Sequence, residues 1–330
     1  MKKVVLLAIS AILMISCTKE IEFKGEQTDS RLVINCIAEV GQPIKAYIGK
    51  SCFFLDNDGD TQAPDDLEAS LYVNGNLIRA LTPRMDTVWN TYSELEYQIV
   101  QVFCSDYCPS VGDVVKICAS AQGFEPVEGT SNPLPAAVNC QFANITVTNV
   151  EPLYSYYDEY TMDSVTSYYG DAELLIEISD PNPGQTNYFG MHIKGESLSD
   201  YDGYIMPSYN DPVFGITTDN NELDWFDFSL QSKGLFTDVI FDGKSHQIKV
   251  PISFYYYASD DTDSIPLTVS VVVEHVTKEY YNYLNTCEQG IDYIQLFSEP
   301  VQVYTNVNNG YGIIGGRMVN SWLNLPFEKP

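Results

Sequence analysis

Three groups of residues have types and spacings that approach known chemistry, and each falls short of what that chemistry needs. Gly310-Tyr311-Gly312-Ile313-Ile314-Gly315 spells the G-x-G-x-x-G of a dinucleotide cradle. Such a cradle follows a strand, opens a helix and has an acid about twenty residues further on, whereas this stretch runs into Trp322 near the end of the sequence. These glycines read instead as points where a last strand bends or meets another backbone closely. Asp56, Asp58 and Asp60 have the spacing that opens a calcium-binding loop, but Thr61 stands where that loop needs Gly and Leu67 where it needs a bidentate Glu. They, like Asp260, Asp261 and Asp263, read as solvated loop acids. No G-x-S-x-G turn or other local nucleophile signature is present. A glycosidase-type carboxylate pair among 45 acids leaves no local trace. His192, His246 and His275 are the three histidines and no CxxC pair accompanies them, so neither a metal cage nor another cofactor is expected, and no catalytic residue is assigned.

Cys17 is where a definite covalent modification is expected. Residues 1–16 read as a signal peptide: Lys2 and Lys3 make a basic start and Val4 to Ile15 an apolar run. At about 1.5 Å per residue that run spans roughly 18 Å of helix, well short of the ~30 Å hydrocarbon slab. Leu13-Met14-Ile15-Ser16-Cys17 resembles the lipobox of bacterial lipoproteins, with Met14 where Leu is preferred. Acylation of Cys17 would attach the protein to a membrane, each buried methylene contributing about 0.8 kcal/mol and more than one chain being needed for lasting attachment. Thr18-Lys19-Glu20 and Glu22 place acids behind the anchor, in partial likeness to surface-export signals, so cell-surface and periplasm-facing display both stay open. Residues 17–30, polar and without periodicity, suit a tether.

Without Lys2 and Lys3 the chain carries 15 basic against 45 acidic residues, a net charge near −30. A nucleic-acid partner is excluded, because it needs a basic footprint that releases counterions. Anionic headgroups would repel this surface too, so the lipid must hold the membrane. Besides Cys17 there are seven cysteines, Cys36, Cys52, Cys104, Cys108, Cys118, Cys140 and Cys287. An odd number leaves at least one thiol out of any intramolecular pairing, and Cys104 and Cys108 flank a short loop that a disulfide could clip.

The elements are those of an all-β protein. Leu32–Ile37 and Ile44–Ile48 read as two strands around Gly41-Gln42-Pro43, and Asn74-Gly75 turns a hairpin between Leu67–Val73 and Leu77-Ile78. Glu96–Phe103 and Val114–Ala119 continue the pattern. Ser131-Asn132-Pro133-Leu134-Pro135 marks a linker. Two β-sandwich-like, immunoglobulin-like domains are expected, over residues 31–131 and 138–330. In the second, Gln141–Val150 and Ala172–Ser179 are strands separated by the tyrosine-rich stretch Tyr154–Tyr169. Val239-Ile240-Phe241 reads as a strand that turns at Asp242-Gly243 into His246–Val250, and Leu267–His275 as a central strand. One short helix is expected after Thr277, with Tyr280, Tyr283, Leu284 and Cys287 on one face. The 24 tyrosines, among them Tyr154, Tyr156, Tyr157, Tyr255, Tyr256 and Tyr257, are divided by strand alternation between sheet filling and a recognition platform.

The C-terminal third carries a family likeness. Thr277-Lys278-Glu279-Tyr280-Tyr281-Asn282-Tyr283-Leu284, Phe297-Ser298-Glu299-Pro300-Val301, Tyr304-Thr305-Asn306-Val307 and Asn309–Gly316 are similar in order and spacing to a Bacteroidetes lipoprotein family, domain of unknown function 4249. Asp180-Pro181-Asn182-Pro183, Asn187-Tyr188, Phe236-Thr237-Asp238 and Phe241-Asp242-Gly243-Lys244 resemble its middle landmarks, and Leu32-Val33-Ile34 its opening. Tyr311 and Ile314 depart from the Leu and Phe more usual there. The resemblance implies an outer-membrane lipoprotein, often encoded beside a TonB-dependent transporter, and supplies no catalytic residue. The expected function is that of a noncatalytic accessory to such a transporter, capturing a small ligand, glycan or peptide or organising the complex. The alternatives are a cell-surface adhesin or structural module that uses exposed strand edges and, further off, a hydrolase.

Overall fold

The structure, a computed structural model, describes residues 29–53, 60–90, 93–159, 163–198, 203–214, 234–259, 265–289 and 302–327. Period-two alternation sets the first strands. β1 (Leu32–Glu39) buries Leu32, Ile34, Cys36 and Ala38, and β2 (Ile44–Lys50) returns beside it after Gly41 at φ +80°. β3 (Glu68–Val73) and β4 (Asn76–Ala80) form a hairpin in which Asn74 and Gly75 take φ of 51° and 79°, the left-handed pair such a turn demands. β5 (Thr82–Asn90), β6 (Ser93–Ser105), β7 (Val115–Ser120) and β8 (Val127–Thr130) complete the first half.

The second half opens with a long hairpin, β9 (Asn139–Asp158) and β10 (Asp163–Ser179). Here the structure corrects the sequence reading. The tyrosine-rich stretch does not separate the strands but forms their distal ends, because its rings have places on both faces of the sheet: Tyr168 stacks inward on Tyr256 while Tyr169 meets Tyr255 on the other side. β11 (Tyr188–Ser197), β12 (Tyr204–Pro207), β13 (Gly234–Thr237), β14 (Ser245–Ser259) and β15 (Leu267–Val276) follow. The expected strand Val239–Phe241 with a hairpin at Asp242-Gly243 is a second correction. Asp238–Ile240 is a 3-10 turn, and Asp242-Gly243 joins strands of two different sheets. Asp238 and Phe241 are buried there while Val239 and Ile240 face solvent, so the β-branched run never alternates.

After β15 comes the single described helix, α1 (Lys278–Gln289), and then β16 (Val307–Asn308) and β17 (Tyr311–Pro326). Thr277 does more than precede the helix: its carbonyl accepts the Tyr281 amide, while its hydroxyl accepts the Gly316 amide at 3.1 Å and ties α1 to β17. Among the described residues no helix is long and apolar enough to cross a membrane.

One eight-stranded sheet, ordered β13-β11-β15-β17-β1-β2-β6-β5, carries two smaller ones, β12-β14-β10-β9 and β16-β8-β7-β3-β4. The fold is thus all-β and sandwich-like, with two apolar cores. The first joins Leu32, Ile34, Leu71, Ile117 and Leu134 to Val307 and Ile314; the second gathers Leu174, Ile176, Phe189, Val250, Phe254 and Val271. Each fully buried side chain of this size contributes about 1.5–3 kcal/mol before entropy is charged. β17 serves both cores: Ile314 enters the first and Trp322 packs on the second, an even spacing that sets both on one face. Residues 131–138 cross between the cores under several bonds. Leu134 is buried with its amide and carbonyl bonded to Asp113 and Gly112, and the Ala136 carbonyl meets His275 Nδ1 at 2.8 Å.

The glycines of the G-x-G-x-x-G stretch fit this packing. β17 runs parallel to β1 with Gly312 beside Ile34 at φ +107°, where a Cβ would overlap the Ile34 carbonyl. A Cβ on Gly310 would meet the Leu32 carbonyl, and one on Gly315 would stand 2.8 Å from the Tyr280 Cβ of α1. The stretch is a strand that lets two backbones and a helix close in.

Candidate functional site

The outward side of the four-stranded sheet is the most distinctive surface of the described chain. In β10 the even-numbered residues Ala172, Leu174, Ile176 and Ile178 fill the core, so Tyr169, Asp171, Glu173 and Glu177 face away from it. Cross-strand partners share a face, and the register sets Tyr204, Tyr255 and Tyr169 in one row and Tyr257, Ser167 and Tyr154 in the next. Tyr204 stacks on Tyr255 at 5.0 Å and Tyr255 meets Tyr169 edge-on at 5.0 Å. In the second row the hydroxyls of Tyr154 and Tyr257 lie 3.3 Å apart, and Tyr156 sits 6.4 Å from both rings. The layer covers Val165 and Ser167 completely enough to leave them 0% and 3% exposed, yet Tyr154 and Tyr204 remain 55% and 49% exposed. These rings therefore pack on the sheet with one side and offer the other to solvent.

Polar groups fix the rings. The Tyr169 hydroxyl donates to Asp171 Oδ1 at 2.7 Å and the Ser253 hydroxyl to the same oxygen at 2.9 Å. Glu151 pairs in register with Tyr169 on this face. Burial pushes the Tyr204 phenol up, and the bond to Tyr154 raises that of Tyr257, so both stay neutral.

Of the tyrosines singled out by sequence, Tyr154, Tyr156, Tyr255 and Tyr257 come together here. Tyr256 instead enters the core, and Tyr157 lies opposite Ser164 on the other side of the hairpin end. Tyr169 and Tyr204 join the layer without having been singled out by sequence. The signal for Tyr169 is its odd-numbered place opposite Tyr255; Tyr204, alone in a four-residue strand, leaves none.

A second cluster closes the opposite end of the same sandwich. Asp238 accepts the Asn187 amide at 2.9 Å and its side-chain Nδ2 at 2.5 Å; Asp180 accepts the amides of Asn182 and Gly243 at 2.8 and 2.6 Å. Burial pushes the Asp238 carboxyl up against the pull of Asn187, and neighbouring Asp180 pushes it further. An acid whose pKa is raised in the fold costs stability as pH climbs from its unfolded value through its folded one. Asp238→Ala is expected to lose about 2–3 kcal/mol by orphaning the buried Asn187 donors. Asp238→Asn, which keeps an acceptor and needs no proton, is expected to be milder and to remove this fall in stability, read by comparing about pH 4, near the unfolded carboxyl value, with about pH 7. Urea denaturation at the two pH values checks both. Nearby, Asp211 accepts His246 Nε2 at 2.9 Å and the Val213 and Lys249 amides at 3.0 Å, with Phe241 stacked on the imidazole. These carboxylates latch loops to the sandwich end.

The remaining sequence candidates are scattered. Cys17, Asp56, Asp58, Asp260, Asp261 and Asp263 lie outside the described residues, while Asp60 pairs with Lys50 at 2.7 Å. The seven other cysteines are free thiols, Cys104 and Cys108 included, and burial pushes Cys36 up to about 12. His192, His246 and His275 have separate partners, and among the described residues no group of three His, Cys, Asp or Glu is placed to hold a metal ion. A groove of about 820 Å³ lies over β1, β2, β5 and β6, between Asn35, Tyr47, Met85 and Ile99.

Fold and face together define an all-β, sandwich-like protein whose smaller C-terminal sheet turns a tyrosine layer outward. Residues 18–321 match the model of the family described as Domain of unknown function (DUF4249), and the chain belongs to that family. No curated protein matches it.

Proposed function

We propose that this chain is a noncatalytic, lipid-anchored accessory protein of the outer membrane that assists a TonB-dependent transporter, with the tyrosine face as its recognition surface. The observation that carries the reading is the layer formed by Tyr154, Tyr156, Tyr169, Tyr204, Tyr255 and Tyr257, an aromatic surface on the outward side of one sheet. Cys17, at the end of an apolar export signal, supplies the anchor, and the tether that follows lets the sandwich stand off the bilayer. The adhesin alternative gains nothing from the long edge strand β9, where three register shifts and Pro152 oppose strand addition.

Two experiments test the proposal. Mild detergent extraction of tagged full-length protein is expected to bring a TonB-dependent transporter with it; repeated recovery of none overturns the partnership. Cys17→Ala is expected to move the protein from the membrane to the soluble fraction, and continued anchoring overturns the lipid attachment.

A further inference from the structure

We propose that the tyrosine face binds an extended cationic polypeptide segment, with arginine or lysine side chains seated on the rings of Tyr154, Tyr169, Tyr204, Tyr255 and Tyr257 and balanced by Glu151, Asp171, Glu173 and Glu177. This rests on the reading of that face as the recognition surface and names what it recognises.

Charge points to the occupant. The register and the alternation of β10 put Glu151, Asp171, Glu173 and Glu177 on the same outward side as the rings. Lys249 is the one lysine or arginine in the four strands, and Glu173 already holds it at 3.6 Å. The sheet thus offers aromatic faces inside an acidic frame, on a chain whose formal net charge is −28. The negative face of an aromatic ring attracts a cation, and carboxylates beside it add Coulomb attraction and steer the encounter. The chain itself makes this contact elsewhere, with the Arg31 guanidinium 5.7 Å from the centre of the Tyr311 ring.

Shape points the same way. The two rows of rings are separated by two residues along β14, about 6.6 Å, which is also the spacing between alternate side chains of an extended peptide. The rings lie on the outward side of the four-stranded sheet, where Tyr154 and Tyr204 are about half exposed and open to a chain laid across them. Ring stacking and the hydroxyl bond between Tyr154 and Tyr257 hold the surface in place before a ligand arrives, which lowers the ordering cost of binding.

Fluorescence anisotropy on the detergent-solubilised full chain tests this with three labelled probes: an alternating arginine–glycine peptide, the same peptide with citrulline for arginine, and maltoheptaose. Citrulline keeps the shape and removes the charge. The arginine peptide is expected to bind at least about tenfold more tightly than its citrulline counterpart. The double variant Tyr154→Ser/Tyr204→Ser, at two half-exposed positions, is expected to weaken the arginine peptide about tenfold with its melting temperature little changed. Equal binding of the citrulline peptide overturns the proposal. So does undiminished arginine-peptide binding by the double variant, which would reduce the attraction to bulk charge. Binding of maltoheptaose that the double variant loses overturns the cationic partner while leaving the face a recognition surface. If no probe responds to the tyrosine substitutions, both readings fall.

Discussion

Arg317→Leu is expected to destabilise the protein by about 3–5 kcal/mol, because it strips the counter-charge from a buried carboxylate. Arg317 lies on β17 opposite Glu39 of β1, where the two halves of the large sheet meet. Its Nη1 donates to Glu274 at 2.6 Å and its Nη2 to Glu39 at 2.7 Å; the Glu274 side chain is 5% exposed. Burial alone would raise the Glu274 carboxyl, but His192 and Arg317 outweigh it and hold it below the usual range. A carboxyl with a depressed folded pKa adds stability above its unfolded value of about 4.3 and loses it as pH falls through the folded one. Without Arg317 only His192 opposes the burial, so the Glu274 carboxyl is expected to move upward. The gap between variant and wild type is therefore expected to be widest near pH 7 and to narrow toward pH 4, which urea denaturation at the two pH values measures. A gap that does not change with pH would assign the loss to packing rather than charge.

Gly312→Ala is expected to cost about 2–5 kcal/mol, combining a forced left-handed backbone with a backbone overlap. The residue holds φ at +107°, and a Cβ there would overlap the Ile34 carbonyl of the parallel neighbour β1. Gly75 separates the two contributions. It holds φ at +79° with nothing within 4 Å of the place a Cβ would take, so Gly75→Ala is expected to cost only about 1 kcal/mol. Thermal or urea unfolding of both variants provides the comparison. Equal losses would show that β1 and β17 do not depend on their close approach.

Much of the local structure is legible in the sequence. Asn74-Gly75, the alternation of Leu32 to Ala38 and the helical spacing of Tyr280, Tyr283 and Leu284 each follow from backbone sterics or burial within a few residues. Leu267–His275 reads as central because β-branched bulk on both faces suits a strand covered on both sides, and β15 does lie between β11 and β17. Sequence and structure part where a local pattern has two uses. Val239-Ile240-Phe241 has strand composition, but the buried Asp238 carboxylate holds the Asn187 amide and the chain turns there instead. Tyr154 to Tyr169 has the look of a loop, because tyrosines on both faces conceal the alternation.

Of the candidate recognition surface, the sequence supplies the tyrosines but not the face. The runs at 154–157 and 255–257 are plain, yet which rings face outward depends on the pairing of β9, β10 and β14 and the bulges that shift it. Tyr204 joins them only because the short β12 pairs with β14.

The sequence by itself determined the strand-rich class, the family and the acidic charge, since composition and short motifs carry these without reference to distant contacts. Tertiary structure alone decided that β17 would lie parallel to β1 and contribute to both cores, and that six tyrosines from four strands would share one outward layer. Alternation says which side chains leave a strand together, but partners and register are settled by contacts between residues far apart in the chain, and no local pattern records those.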